Sequence, residues 1–225
     1  MPKNPFSDNK KVGASLLWNM EQYLIAQAVP HVPAFLNGYN LTLASLVWIL
    51  LILVFSYLAK ENIYWLWGSS AVVFMHYITD SLDGAVGRYR NSGLIKWGMY
   101  MDHLLDFIFM SSVFIGYSLL TEGISVLWIF TILVSIATMM ANAFLAYAAF
   151  DSFRISYFKL GPTEGRILII AANTLVMYVG VTTLEKYLPY VVSFLFVFTI
   201  VTVARVQRVL YALDIKNKER GSYGH

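Results

Sequence analysis

The sequence predicts an all-α integral membrane protein: six transmembrane helices preceded by an N-terminal amphipathic helix at the membrane interface. Three observations lead there. Hydrophobic residues form 58% of the 225-residue chain and charged residues only 13%, too few to cover a soluble domain, and mean hydropathy is +0.62. Six segments approach the about 20 apolar residues that a spanning helix needs. Of the 16 Lys and Arg, all but Lys60 and Lys186 fall on one side of those segments.

The chain reads as one membrane domain: residues 1–35 an interfacial helix and turn, 41–211 the bundle, 212–225 a cytoplasmic tail. Within Ala14–Val29, Leu16, Leu17, Trp18, Met20, Tyr23, Leu24 and Ile25 form an apolar stripe beside Asn19, Glu21, Gln22 and Gln27, the pattern of a helix lying along a bilayer surface. Glu21 and Gln22 interrupt any signal-peptide core there. Pro30 and Pro33 end the helix and turn the chain into the first span. The expected spans are Leu41–Ala59, Ile63–Thr79, Met101–Leu120, Ile124–Phe150, Gly165–Leu184 and Leu188–Tyr211.

An even number of spans puts both termini on one side. The positive-inside rule makes that side the cytoplasm, because it carries Arg88, Arg90, Lys96, Arg154, Lys159, Arg166 and the basic residues of both tails. The opposite loops, around Glu61, Glu122 and Glu185, are very short. With no cysteine, a disulfide scaffold and a thiolate zinc site are both excluded. The net charge of +3 follows the topology and forms no nucleic-acid patch.

Four aspartates stand at the cytoplasmic ends of spans two and three. An Asp at the centre of a spanning helix costs roughly 2.5–3.5 kcal/mol, less near the interface, so four together call for a neutralising cation. Asp80, Asp83, Gly84, Gly87 and Arg88 are related by steps of three and four, which places them on one helical face. Gly98, Asp102 and Asp106 repeat every four residues on the next helix. Two antiparallel helices can thus aim four carboxylates into one cleft. Oxygen-only ligands select hard cations such as Mg²⁺, Mn²⁺ or Ca²⁺. Four carboxylates suffice for a two-metal site of the kind that serves displacement at phosphorus.

The stretch from Asp80 to Asp106 resembles the signature of the CDP-alcohol phosphotransferases, D-x-x-D-G-x-x-A-R-x8-G-x-x-x-D-x-x-x-D. It departs from that pattern in two places. Gly87 stands where the signature has alanine, and nine residues, Tyr89–Trp97, separate Arg88 from Gly98. The resemblance implies transfer of a substituted phosphate from a CDP-alcohol to an acceptor hydroxyl, with release of CMP, in phospholipid synthesis. It carries over Asp80, Asp83, Asp102 and Asp106 as ligands of two divalent cations, Mg²⁺ or Mn²⁺. Asp106 is also the general base, and Asp80, Gly84, Gly87, Arg88 and Gly98 meet the nucleotide. CDP-diacylglycerol is the favoured donor; the alternative is a CDP-choline or CDP-ethanolamine enzyme acting on diacylglycerol. The resemblance further implies a homodimer among membrane lipids, with a bacterial inner membrane favoured.

A second polar island, Asp151–Arg166, either caps a loop under the topology rule or forms an acceptor phosphate subsite. In the second reading Arg154, Lys159, Glu164 and Arg166 carry it, Arg166 foremost. Pro162 and Thr163 read as a helix start with Glu164 in its first turn. His76, one turn before Asp80, reads as that carboxylate's partner or as a satisfied core histidine. His103 points off the Asp102 and Asp106 face and reads as a packing group or one that makes a neighbouring contact. The family resemblance also implies that Asn40, in Asn40-Leu41-Thr42, approaches the nucleotide. A cation transporter or channel is the alternative of another class. It calls for acids spread through the depth of several spans, whereas these four gather at one end.

Overall fold

The computed structural model describes residues 18–150 and 162–219, and within them the chain is helical throughout, with no strand. The helices are α1 (Trp18–Ala28), α2 (Gly38–Leu58), α3 (Leu66–Tyr89), α4 (Ile95–Ser118), α5 (Ile124–Phe150), α6 (Pro162–Val179) and α7 (Val181–Glu219). Short 3-10 turns, Val29–His31 and Ile63–Trp65, precede α2 and α3. Among the described residues three helices are long and apolar enough to cross a membrane: α2, α5 and α7. Large apolar side chains stand exposed along them, among them Leu46, Leu50, Val134, Phe194 and Phe196. On a soluble protein so much bare apolar surface would drive association; here lipid is its natural solvent. The chain is a membrane protein.

Two apolar clusters hold the bundle. Ile49 and Ile52 of α2, Val72 and Val73 of α3, Leu105, Phe109 and Val113 of α4 and Ile169 of α6 form the larger one. Phe114 of α4 with Ile129 and Ile132 of α5 and Leu188 and Val192 of α7 form the second. Helix α4 therefore belongs to both clusters and joins the unit of α2, α3, α4 and α6 to the α5–α7 pair. A third cluster, Val29, Leu41 and Val86, seats the turn after α1 against the end of α3.

Some helix ends differ from those expected. Helix α3 runs beyond Thr79 to Tyr89, and α4 begins at Ile95, so Lys96 and Trp97 are helical and the connecting turn is short. That turn closes with Asn91 (φ 51°) and Gly93 (φ 72°) in the left-handed region, which asparagine and glycine tolerate best. The break between α6 and α7 falls at Gly180 (φ 83°), not at Glu185–Tyr187. Only glycine enters that conformation without a Cβ penalty. Pro189 is accommodated inside α7.

Candidate active site

The reversal between α3 and α4 brings their acidic faces together. Carboxylate oxygens of Asp80, Asp102 and Asp106 lie within 4.8 Å of one another. The steps Asp80 to Asp83 and Asp102 to Asp106 are one helical turn each, which is why paired acids on two antiparallel helices meet. Asp83 stands outside this triad. Its Oδ2 accepts a hydrogen bond from Thr42 Oγ1 of α2 at 2.8 Å, and its Oδ1 accepts from the Gly84 amide.

Arg166 of α6 enters the triad. Its Nη2 lies 2.8 Å from Asp80 Oδ2 and 2.8 Å from Asp106 Oδ1, and the side chain is only 7% exposed. The Tyr77 ring lies beside the guanidinium, 5.8 Å from centroid to Cζ. The charge expected to face an acceptor phosphate is thus a direct partner of two carboxylates. Glu164 lies in the first turn of α6, which begins at Pro162. Arg154 and Lys159 lie outside the described residues.

The two histidines divide. The His76 ring stacks on Phe109 (centroids 3.8 Å, planes 6° apart), and its Nε2 lies 3.9 Å from Asp106 Oδ1. It therefore abuts Asp106 across the helix pair and is neither the partner of Asp80 nor a satisfied core histidine. It is buried, and neither ring nitrogen has a hydrogen-bond partner. His103 Nδ1 lies 3.4 Å from Asp102 Oδ2, and its ring meets Phe144 at a tilt.

Around the proposed nucleotide positions the backbone is exposed or half-exposed. Gly84 has the Arg88 side chain alongside it, and nothing lies within 4 Å of a Cβ built at Gly98. Gly87 is approached by the first residue of α2: a Cβ on Gly38 would come within 3.0 Å of Asp83 O and 3.3 Å of Gly87 Cα. Tyr39 and Trp97 stack beside this crossing, 4.9 Å between centroids. Asn40 is committed to the turn before α2, its Nδ2 donating to Phe35 O at 2.7 Å.

Three residues of this region make contacts at the site that the sequence reading did not assign to them. Thr42 holds Asp83 across 41 residues. Glu21 of α1 accepts from Ser81 Oγ, beside Asp80, and from Thr163 Oγ1 at the start of α6. Arg90 gathers the turn between α1 and α2. None has a local signal, since each acts on a distant segment; only the i+3 step from Asn37 through Asn40 hints that this turn is built.

As a donor set, three clustered carboxylates with a fourth nearby fit hard divalent cations and offer nothing to soft ones. A helical membrane bundle with such a cluster at one helix-end cleft defines a class of protein suited to phosphate chemistry. The chain belongs to the CDP-alcohol phosphatidyltransferase family, whose model matches residues 35–204. It is accordingly a transferase of substituted phosphate groups, with a CDP-alcohol and an alcohol as substrates, in a family that uses divalent metal. The comparisons with curated proteins and with solved structures give no match.

Proposed function

We propose that this protein transfers a phosphatidyl group from CDP-diacylglycerol to a small polar alcohol and releases CMP at the cytoplasmic face of a membrane. The observation that supports it most is the convergence of Asp80, Asp102 and Asp106 from two helices, at the end where the basic residues cluster. Helices α3, α4 and α6 complete six crossings with α2, α5 and α7, and α1 lies in the interface with Met20, Tyr23 and Leu24 exposed toward lipid.

Asp80, Asp83, Asp102 and Asp106 would hold two Mg²⁺ or Mn²⁺ ions. When bound, such ions offset the negative charge of the diphosphate and of the transition state. The chain's own groups do the rest. Gly84, Gly87 and Gly98 let the nucleotide approach the backbone, and Arg88 pairs with a phosphate oxygen. Asp106 takes the proton of the acceptor hydroxyl as its oxygen bonds to the phosphorus that stays with the diacylglycerol. The bond from that phosphorus to the CMP oxygen breaks, and CMP leaves with the electron pair. Arg166 contacts both carboxylates through Nη2, which leaves Nη1 and Nε to be assigned to an anionic acceptor such as a glycerol or sugar phosphate.

The test is CMP release by purified protein given Mg²⁺ or Mn²⁺, a panel of CDP-alcohols and a panel of acceptors. Turnover is expected with CDP-diacylglycerol and an acceptor phosphate. Turnover only with CDP-choline or CDP-ethanolamine plus diacylglycerol would reverse the donor assignment, and no CMP from any pair would remove the reading.

A further inference from the structure

Arg90 lies one residue past the end of α3, at a position of the Arg88-to-Gly98 spacer that the signature leaves unspecified, yet it makes four hydrogen bonds to one turn near the cleft. Its Nη2 donates to Val32 O at 2.5 Å and Pro33 O at 3.1 Å, and its Nη1 to Leu36 O at 3.0 Å and Ala34 O at 3.3 Å. Four carbonyls of one turn thus meet the four terminal N–H protons of one guanidinium. Within the turn Pro33 O also accepts from Leu36 N at 3.0 Å, and the cation supplies a partner to the carbonyls of Val32, Ala34 and Leu36.

What the turn delivers is the start of α2. Asn37 caps that helix by accepting from the Asn40 amide at 2.8 Å, and Asn40 Nδ2 closes back on Phe35 O. The next residue, Gly38, presses its backbone on Asp83 O and Gly87, and one turn later Thr42 grips Asp83 Oδ2. Arg90 and Asp83 are seven residues apart, about two turns along one face of α3. The beginning of α2 is therefore pinned to that face at both ends, with Gly84 and Gly87 between the pins.

We infer that Arg90 is a positioning residue for the donor half of the site, setting the height of α2 against Asp83, Gly84 and Gly87; this rests on the CDP-alcohol reading above. It touches neither substrate nor the triad, so its loss acts on donor binding and spares the acceptor side. Lysine is an incomplete substitute, because one ammonium has three protons on a single nitrogen and cannot span four carbonyls.

The experiment uses the full chain in detergent with Mg²⁺, measuring CDP affinity by calorimetry and CMP release while donor and acceptor are varied separately. Arg90→Ala is expected to weaken CDP binding and raise donor KM about tenfold, with kcat and acceptor KM within about twofold of wild type. Arg90→Lys is expected to recover about half of that change on a logarithmic scale. An unchanged CDP affinity, or a fall in kcat with both KM values moving alike, overturns the inference. Should Arg90→Ala fail to fold, Thr42→Val breaks the last link of the same chain. It is expected to show the same donor-confined change, and an unaltered donor KM there counts against the inference. A wild-type chain that binds no CDP would instead remove the donor reading itself.

Discussion

Arg166 and the acids it joins carry most of the local chemistry. One guanidinium nitrogen meets Asp80 and Asp106 at 2.8 Å each, with little solvent to screen them. Removing it leaves two close carboxylates facing each other. Arg166→Ala is expected to lower stability by about 3 kcal/mol when chelator is present, and millimolar Mg²⁺ should restore much of the loss. Thermal unfolding with EDTA and with Mg²⁺ checks this; equal losses in both would show that Arg166 and divalent cations do not share the carboxylates. Asp106→Asn keeps the side-chain volume but removes the proposed base. CMP release should fall at least about 100-fold while CDP affinity stays within about threefold. Near-normal turnover would move the base elsewhere. The meeting of Asp80, Asp102 and Asp106 was legible because their spacing is local and helical, whereas Asp83, expected in the same cleft, turns to Thr42 of α2. Arg166 was legible as a charge near the cleft, but not as the partner of Asp80 and Asp106, because no periodicity links α6 to α3 and α4. For the same reason Glu21, Thr42 and Arg90 could not be read: each contact joins segments tens of residues apart.

Helix packing explains why the cleft keeps its shape. The crossing of α2 and α3 is a backbone contact at Gly38, where even a methyl group would meet Asp83 O at 3.0 Å and Gly87 Cα at 3.3 Å. Backbone atoms on a packed helix cannot swing aside as a side chain can. Gly38→Ala should cost about 1–3 kcal/mol of stability and weaken CDP binding with it, read by thermal unfolding and calorimetry. A variant as stable as wild type would show that the two helices separate easily there. Elements with long apolar runs, α2 and α5, were visible in the sequence almost to their ends. Ends set by single residues were not. Helix α3 keeps its helical form through the charged stretch to Tyr89, with Asp80 against Arg166 of α6 and Asp83 against Thr42 of α2, and a hydropathy limit stops short of that. The break at Gly180 depends on a positive φ, which hydropathy does not register, whereas the charged Glu185 and Lys186 looked like a loop.

The assembled chain makes sense as a bundle whose chemistry sits at one rim. Apolar residues face outward along α2, α5 and α7, while the polar contacts that bridge helices concentrate around the aspartates. The proposed topology has a direct check, because the chain lacks cysteine and single cysteines can be introduced freely. Cysteines replacing Lys60 or Lys186 should react in intact cells with a membrane-impermeant maleimide. Those replacing Lys96 or Lys218 should react only after the membrane is opened. Labelling of all four from outside, or the reverse pattern, would refute six crossings with the acids facing the cytoplasm. Composition and charge asymmetry carried this reading at the level of the whole chain, whereas the division into a four-helix unit and an α5–α7 pair was not visible. That division depends on which apolar faces meet, and α5 and α7 are apolar on nearly every side.

The claim on which the account turns is that the carboxylates of α3 and α4 grip a nucleoside diphosphate through divalent cations. Calorimetric titration of CDP into the purified chain, with Mg²⁺ or Mn²⁺ and again with EDTA, addresses it most directly. Binding should be readily measured with the metal and at least about tenfold weaker without it. Equal affinity in both conditions, or no binding with either metal, would contradict the account.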